Sequence, residues 1–102
     1  MNYMSALTKL GNRQSRKLPG RATYLVRKED HIAVQYHGHS IVKFYPDYCE
    51  VSACGWETVT TKARINDYLP YGRVIQRNGT WYFQSGNAYT VKFLPTNRMA
   101  YT

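Results

Sequence analysis

Three threonines, a lysine and an arginine fall within seven residues in Thr58-Val59-Thr60-Thr61-Lys62-Ala63-Arg64. Their chemistry is that of an anion site at the start of a helix. The hydroxyls of Thr60 and Thr61 donate to phosphate oxygens, while Lys62 and Arg64 neutralise charge. The helix start adds unpaired amides and a partial positive charge. Thr60 is the expected N-cap, since its hydroxyl takes one of those amides. The plainer reading of the same residues is an ordinary cap followed by two solvated bases. No Gly-x-x-x-x-Gly-Lys precedes the helix, so the block is not a P-loop.

Other reactive types are spaced less well. His37 and His39 with Cys49 and Cys54 supply zinc-ligand chemistry. Side chains alternate faces along strands, however, and Cys49 and Cys54 differ by an odd number of residues, so no metal site is expected. A histidine acid (His31, His37 or His39), a Glu50 or Glu57 base and an arginine would make a small ribonuclease. Nothing in their spacing requires it, and the reading is of a non-enzymatic protein with no cofactor. Of the aromatic residues that could stack on bases, two are expected at the surface. These are Trp56, in a loop, and Tyr82, which faces opposite to Trp81 and Phe83.

The elements that must position these groups follow from periodicity. Residues 1–20 are expected to be loosely ordered or only locally helical, with room for a turn or two of helix at Ser5–Leu10 before Gly11, Asn12 and Pro19-Gly20 interrupt it. Strands are predicted at Ala22–Arg27, His31–His37, Ser40–Tyr45 and Tyr48–Ala53, with a reversal at Gly38-His39. Their short links require an antiparallel meander. One helix follows over Lys62–Leu69, with Ile65, Tyr68 and Leu69 on its apolar face. Arg73–Arg77 and Thr80–Gln84 flank Asn78-Gly79, a hairpin signal. Tyr89–Leu94 is the last predicted strand, and the chain after Pro95 is read as loose. The expected fold class is α+β, about seven short strands in the order β4-α-β3 with one helix across a twisted, mainly antiparallel sheet. It occupies residues 21–102 as a single domain behind the 1–20 arm.

Charge is distributed unevenly over these elements. The net charge is +8. Residues 1–28 hold seven bases (Lys9, Arg13, Arg16, Lys17, Arg21, Arg27, Lys28) and no acid, against seven bases and six acids in the remainder. A segment of this kind favours nucleic acid, an anionic surface or an acidic protein partner. Arg13, Arg16, Lys17 and Arg21 are its candidate phosphate contacts. No apolar run approaches the roughly 18 residues needed to cross a bilayer. Nor is there an N-terminal stretch suited to secretion. The expected setting is the cytoplasm, with no membrane partner and both cysteines reduced.

The residues His37-Gly38-His39-Ser40-Ile41-Val42-Lys43-Phe44-Tyr45-Pro46-Asp47, and the run Cys54-Gly55-Trp56-Glu57-Thr58-Val59-Thr60-Thr61-Lys62-Ala63-Arg64-Ile65-Asn66, carry a resemblance. With Asn78-Gly79-Thr80-Trp81 they are similar to a family of small tailed-bacteriophage proteins, over about residues 31 to 83. The resemblance implies an origin, and hence a host-cell cytoplasm, but no mechanism. The leading expectation is an accessory protein that binds nucleic acid or a nucleoprotein through its basic arm and helix N-terminus. The alternative is a host-directed inhibitor, in anti-defence or takeover, that binds an acidic host protein.

Overall fold

The computed structural model of the chain describes residues 1–85 and 89–101. Its first element is a helix, α1 (Tyr3–Leu10). Asn2 caps it reciprocally: its side chain accepts from the Ser5 amide at 2.8 Å, and its own amide donates to Ser5 Oγ at 2.8 Å. Such a capping box satisfies two orphan donors at once. Ala6 and Leu10, one helical turn apart, are buried against β2 (Thr23–Arg27) and β3 (Ile32–Tyr36). Gly11, at φ 57°, ends the helix.

A short strand, β1 (Ser15–Lys17), then pairs antiparallel with β2, Arg16 opposite Leu25. The following Leu18 is fully buried. The local helix allowed at Ser5–Leu10 is present and starts two residues earlier, and the loose arm expected around it is corrected to a docked helix followed by an edge strand. Two features outweigh the interrupting glycines: the cap at Asn2, and the apolar stripe Ala6–Leu10 continued by Leu18. The α-amine of Met1 also reaches into the fold, donating to the Leu69 carbonyl at 3.1 Å.

The meander is as periodicity predicts. β2, β3, β4 (His39–Phe44) and β5 (Tyr48–Val51) pair antiparallel in sequence order. The β3–β4 reversal sits one residue earlier than expected. His37 and Gly38 take φ 50° and 80°, the left-handed pair of a two-residue hairpin turn, and His39 opens β4. The chain's end is also ordered. β9 (Asn97–Ala100) pairs with β5 and buries Met99, closing a six-stranded sheet in the order β1-β2-β3-β4-β5-β9. Asn97 fixes this return, its amide donating to the carbonyls of Val51 (3.0 Å) and Leu94 (2.8 Å).

Between β5 and β9 lie α2 (Val59–Tyr68) and a second, three-stranded sheet. That sheet runs β6 (Arg73–Arg77), β7 (Thr80–Ser85) and β8 (Tyr89–Lys92), with the Asn78-Gly79 turn where expected. The fold class is α+β, mostly antiparallel sheet. The described residues hold two helices and nine strands, where the sequence predicts one helix and about seven strands. α2 buries Thr61, Ile65 and Tyr68 and packs on β3, β4 and β6. Asn66 docks it to β6 by two hydrogen bonds with Val74, donating to the carbonyl at 2.9 Å and accepting from the amide at 2.7 Å.

Candidate functional site

The basic segment forms a fixed edge of the large sheet. Residues 11–17 are exposed without interruption. They are fastened to β2 by Arg27, whose guanidinium donates to the carbonyls of Gly11 (2.7 Å) and Arg13 (3.3 Å). Arg16 similarly donates to the Lys9 carbonyl at 2.8 Å. Lys17 caps the next turn, donating to the carbonyls of Leu18 and Gly20, and its ammonium lies 5.6 Å from the centre of the exposed Tyr24 ring. Arg13 and Arg21 are exposed, and no side-chain partner is found for either among the described residues. The edge thus has bases of two kinds, some spent on holding the backbone and some facing solvent.

Next to the Lys17–Arg21 end of this edge a cleft of about 300 Å³ opens beside the start of α2, whereas Arg13 lies at the other end of β2, beside Arg27. Edge and cleft join through backbone. The Ala22 carbonyl, one residue after Arg21, accepts from the His37 amide at 3.0 Å, and Thr23 stands opposite Tyr36. Tyr36 and His37 line the cleft from the β3–β4 hairpin, with their rings 4.5 Å apart and edge-to-face. His39 and Trp56 line it also, as a tilted pair 6.3 Å apart. Trp56 is 59 % exposed. Thr58, Thr60 and Thr61 complete the wall, with Ile41 and Ala53.

The three hydroxyls form a chain: Thr58 Oγ1 lies 3.2 Å from that of Thr60 and 3.0 Å from that of Thr61. Thr58 also accepts from the Thr61 amide at 3.2 Å and is the N-cap. The expected cap at Thr60 is corrected by two residues: the helix begins at Val59, so Thr60 lies within its first turn. Thr61 is only 2 % exposed.

The cations of the threonine block do not join it in the cleft. Lys62 Nζ lies 3.3 Å from Gln76 Oε1 on β6. Arg64 points toward the 19–20 turn, with a side chain 26 % exposed and Nη1 at 2.6 Å from Asp67 Oδ2. Its Nε lies so close under Gly20 that a Cβ there would come within 2.8 Å of it. Beside this contact Tyr68 donates to the Pro19 carbonyl at 3.1 Å. Arg64 therefore helps fasten the segment after β1 to α2, contrary to the expected solvent-facing base. Tyr82 is half-buried on β7, opposite Lys92 in the other sheet, and is not among the cleft's lining residues.

Compared with known proteins, the chain matches the family described as Kyanoviridae Gp96 protein over residues 3–100. The chain belongs to that family. It is accordingly a tailed-phage protein, and the match takes in α1 and β1 as well as β9. No curated protein and no solved structure matches it.

Within this family member the cleft brings two histidines together with hydroxyls and aromatic rings, but among the described residues no Asp, Glu, Lys or Arg lines it. The carboxylates considered as bases lie elsewhere. Glu50 approaches Arg98 at 3.5 Å, and Glu57 is exposed and not a lining residue. The buried Cys49 thiol is pushed up to about 12 by desolvation, which keeps it protonated at neutral pH. Chemically the arrangement offers an aromatic recess bearing hydroxyls and imidazoles, adjoining a positively charged edge. Sequence reasoning picked out Trp56, Thr60 and Thr61 of the cleft. It considered His37 and His39 only as metal ligands or acids, grouped Tyr36 with the rings that could stack but favoured Trp56 and Tyr82 as the exposed ones, and did not consider Tyr24. The signal available for these was the turn chemistry of His37-Gly38, which brings strand ends and flanking rings to one place.

Proposed function

We propose that this phage protein binds nucleic acid without chemistry, in the cytoplasm of the host cell, through the edge formed by α1, β1 and β2. The observation that carries the reading is the segregation of charge: seven bases and no acid in residues 1–28, gathered on ordered, exposed structure. Bases held by a folded edge neutralise phosphates without the ordering cost that a flexible tail would meet on binding. Tyr24 beside Lys17 adds an aromatic face to the same strip. Phosphate contacts of this kind give affinity independent of sequence and strongly dependent on salt.

Arg13 and Arg21 are the contacts to test, because their side chains are not used in holding the edge. Fluorescence anisotropy with a labelled duplex should give a log K that falls linearly with log salt. Arg13→Gln and Arg21→Gln should each weaken binding and reduce that slope by up to about 0.9. An unchanged slope in the double variant would contradict the reading.

A host protein is the second reading, favoured by one observation. Leu94, Val91 and Tyr71 are exposed along a groove between the two sheets, as a protein interface requires. A host protein retained by the immobilised chain after nuclease treatment, and released by polar substitution at Leu94, would support it.

A further inference from the structure

The basic edge explains attraction to any polyanion but leaves the adjoining cleft without a role. Three properties define what the cleft fits. Its volume, about 300 Å³, is at the small end of ligand sites, which run from about 300 to 1,000 Å³. Its aromatic content comes as two pairs, Tyr36 with His37 and His39 with Trp56, so a flat ring entering it meets ring faces and edges. Its polar groups are the threonine and Tyr36 hydroxyls, the His37 and His39 imidazoles and the Trp56 indole N–H, and among the described residues no lysine or arginine lines it. A bare phosphate would find no fixed cation there. A neutral heteroaromatic ring would find stacking partners and hydroxyls that donate or accept as required.

We infer that the cleft takes one unstacked nucleobase of a single strand whose phosphates lie on the basic edge. This inference rests on the nucleic-acid reading above and narrows it to single-stranded or locally opened nucleic acid, since a base inside a duplex cannot reach the recess. The connection is short: Arg21 precedes Ala22, whose carbonyl is bonded to the amide of the cleft residue His37. A strand leaving the exposed bases of β1 and the turn after it passes directly to the hairpin rings. Because hydroxyls accept either hydrogen-bonding sense, the cleft should not discriminate strongly among bases. Base–aromatic stacking is likewise tolerant of sequence.

The probes are a labelled twelve-residue oligothymidylate, its ribose counterpart oligouridylate, and an abasic strand of the same length and charge. The wild-type chain should bind the two base-bearing strands about fivefold or more tighter than the abasic one, the scale of a single stacked base. Trp56→Ala should abolish that preference while leaving abasic affinity and melting temperature unchanged. Trp56→Phe should retain most of it, and His39→Ala, which removes the ring paired with Trp56, should reduce it as well. Equal binding of base-bearing and abasic strands by the wild-type chain would overturn the cleft assignment and leave the basic edge standing. Retention of the preference in both Trp56→Ala and His39→Ala would overturn it as well. Failure to bind any of the strands at low salt would overturn the basic edge and the cleft together.

Discussion

Thr58, Thr60 and Thr61 show how one side-chain type divides its work within four positions. Thr58 accepts from the Thr61 amide and caps α2, Thr61 is buried beneath it, and Thr60 stays exposed at the mouth of the cleft. The roles separate by substitution. Thr58→Ala should cost about 1 kcal/mol of stability through the lost cap. Thr60→Ala should cost far less, because it removes only an exposed hydroxyl contact. Chemical denaturation of the two variants compares them directly, and equal losses would contradict the assignment of the cap. That a threonine caps this helix was legible in the sequence, but not which one. Any of three hydroxyls has the right chemistry, and the choice depends on where the loop after Trp56 turns into the helix. Arg64 was hidden for a similar reason: its partners, Asp67 and the backbone at Gly20, lie partly in a segment distant in sequence.

At the scale of elements, α1 and β1 change the meaning of the charge run. A basic leading segment with glycines reads as a tail, yet here it contributes Ala6, Leu10 and Leu18 to the core. Leu10→Ala should cost about 2–5 kcal/mol, as for other fully buried leucines. Deleting residues 1–20 should abolish cooperative thermal unfolding by exposing the apolar surfaces of β2 and β3. A truncated chain that still unfolds cooperatively near the wild-type temperature would mean that α1 is only an appendage. The central strands were readable because Ile32, Val34 and Tyr36 recur at every second position, although Ala33 between them is buried too, and the Asn78-Gly79 turn announces its hairpin. β9 was not, since Asn97-Arg98-Met99-Ala100 buries a single residue and has no alternation to detect. Its place is set by the long-range pairing of Cys49 with Met99.

For the whole molecule, the two sheets divide the surface into unlike regions. The large sheet carries the basic edge and the cleft at neighbouring positions. The small sheet is joined to α2 by Asn66, and none of its described residues lines the cleft. Composition alone located the charge in the leading segment. It could not show that this segment folds back beside the β3–β4 hairpin, because that juxtaposition depends on the pairing of β1 with β2 and on the contact between His37 and Ala22. The central claim is that one continuous face, basic edge and cleft together, receives nucleic acid. Amide chemical-shift mapping of the labelled protein titrated with oligothymidylate tests it most directly. Perturbations are expected at Arg13–Lys17, Arg21–Tyr24, Tyr36–His39 and Trp56–Thr61, with β6 and β7 unmoved. Perturbations confined to β6, β7 and the groove at Leu94, with the basic edge silent, would contradict it.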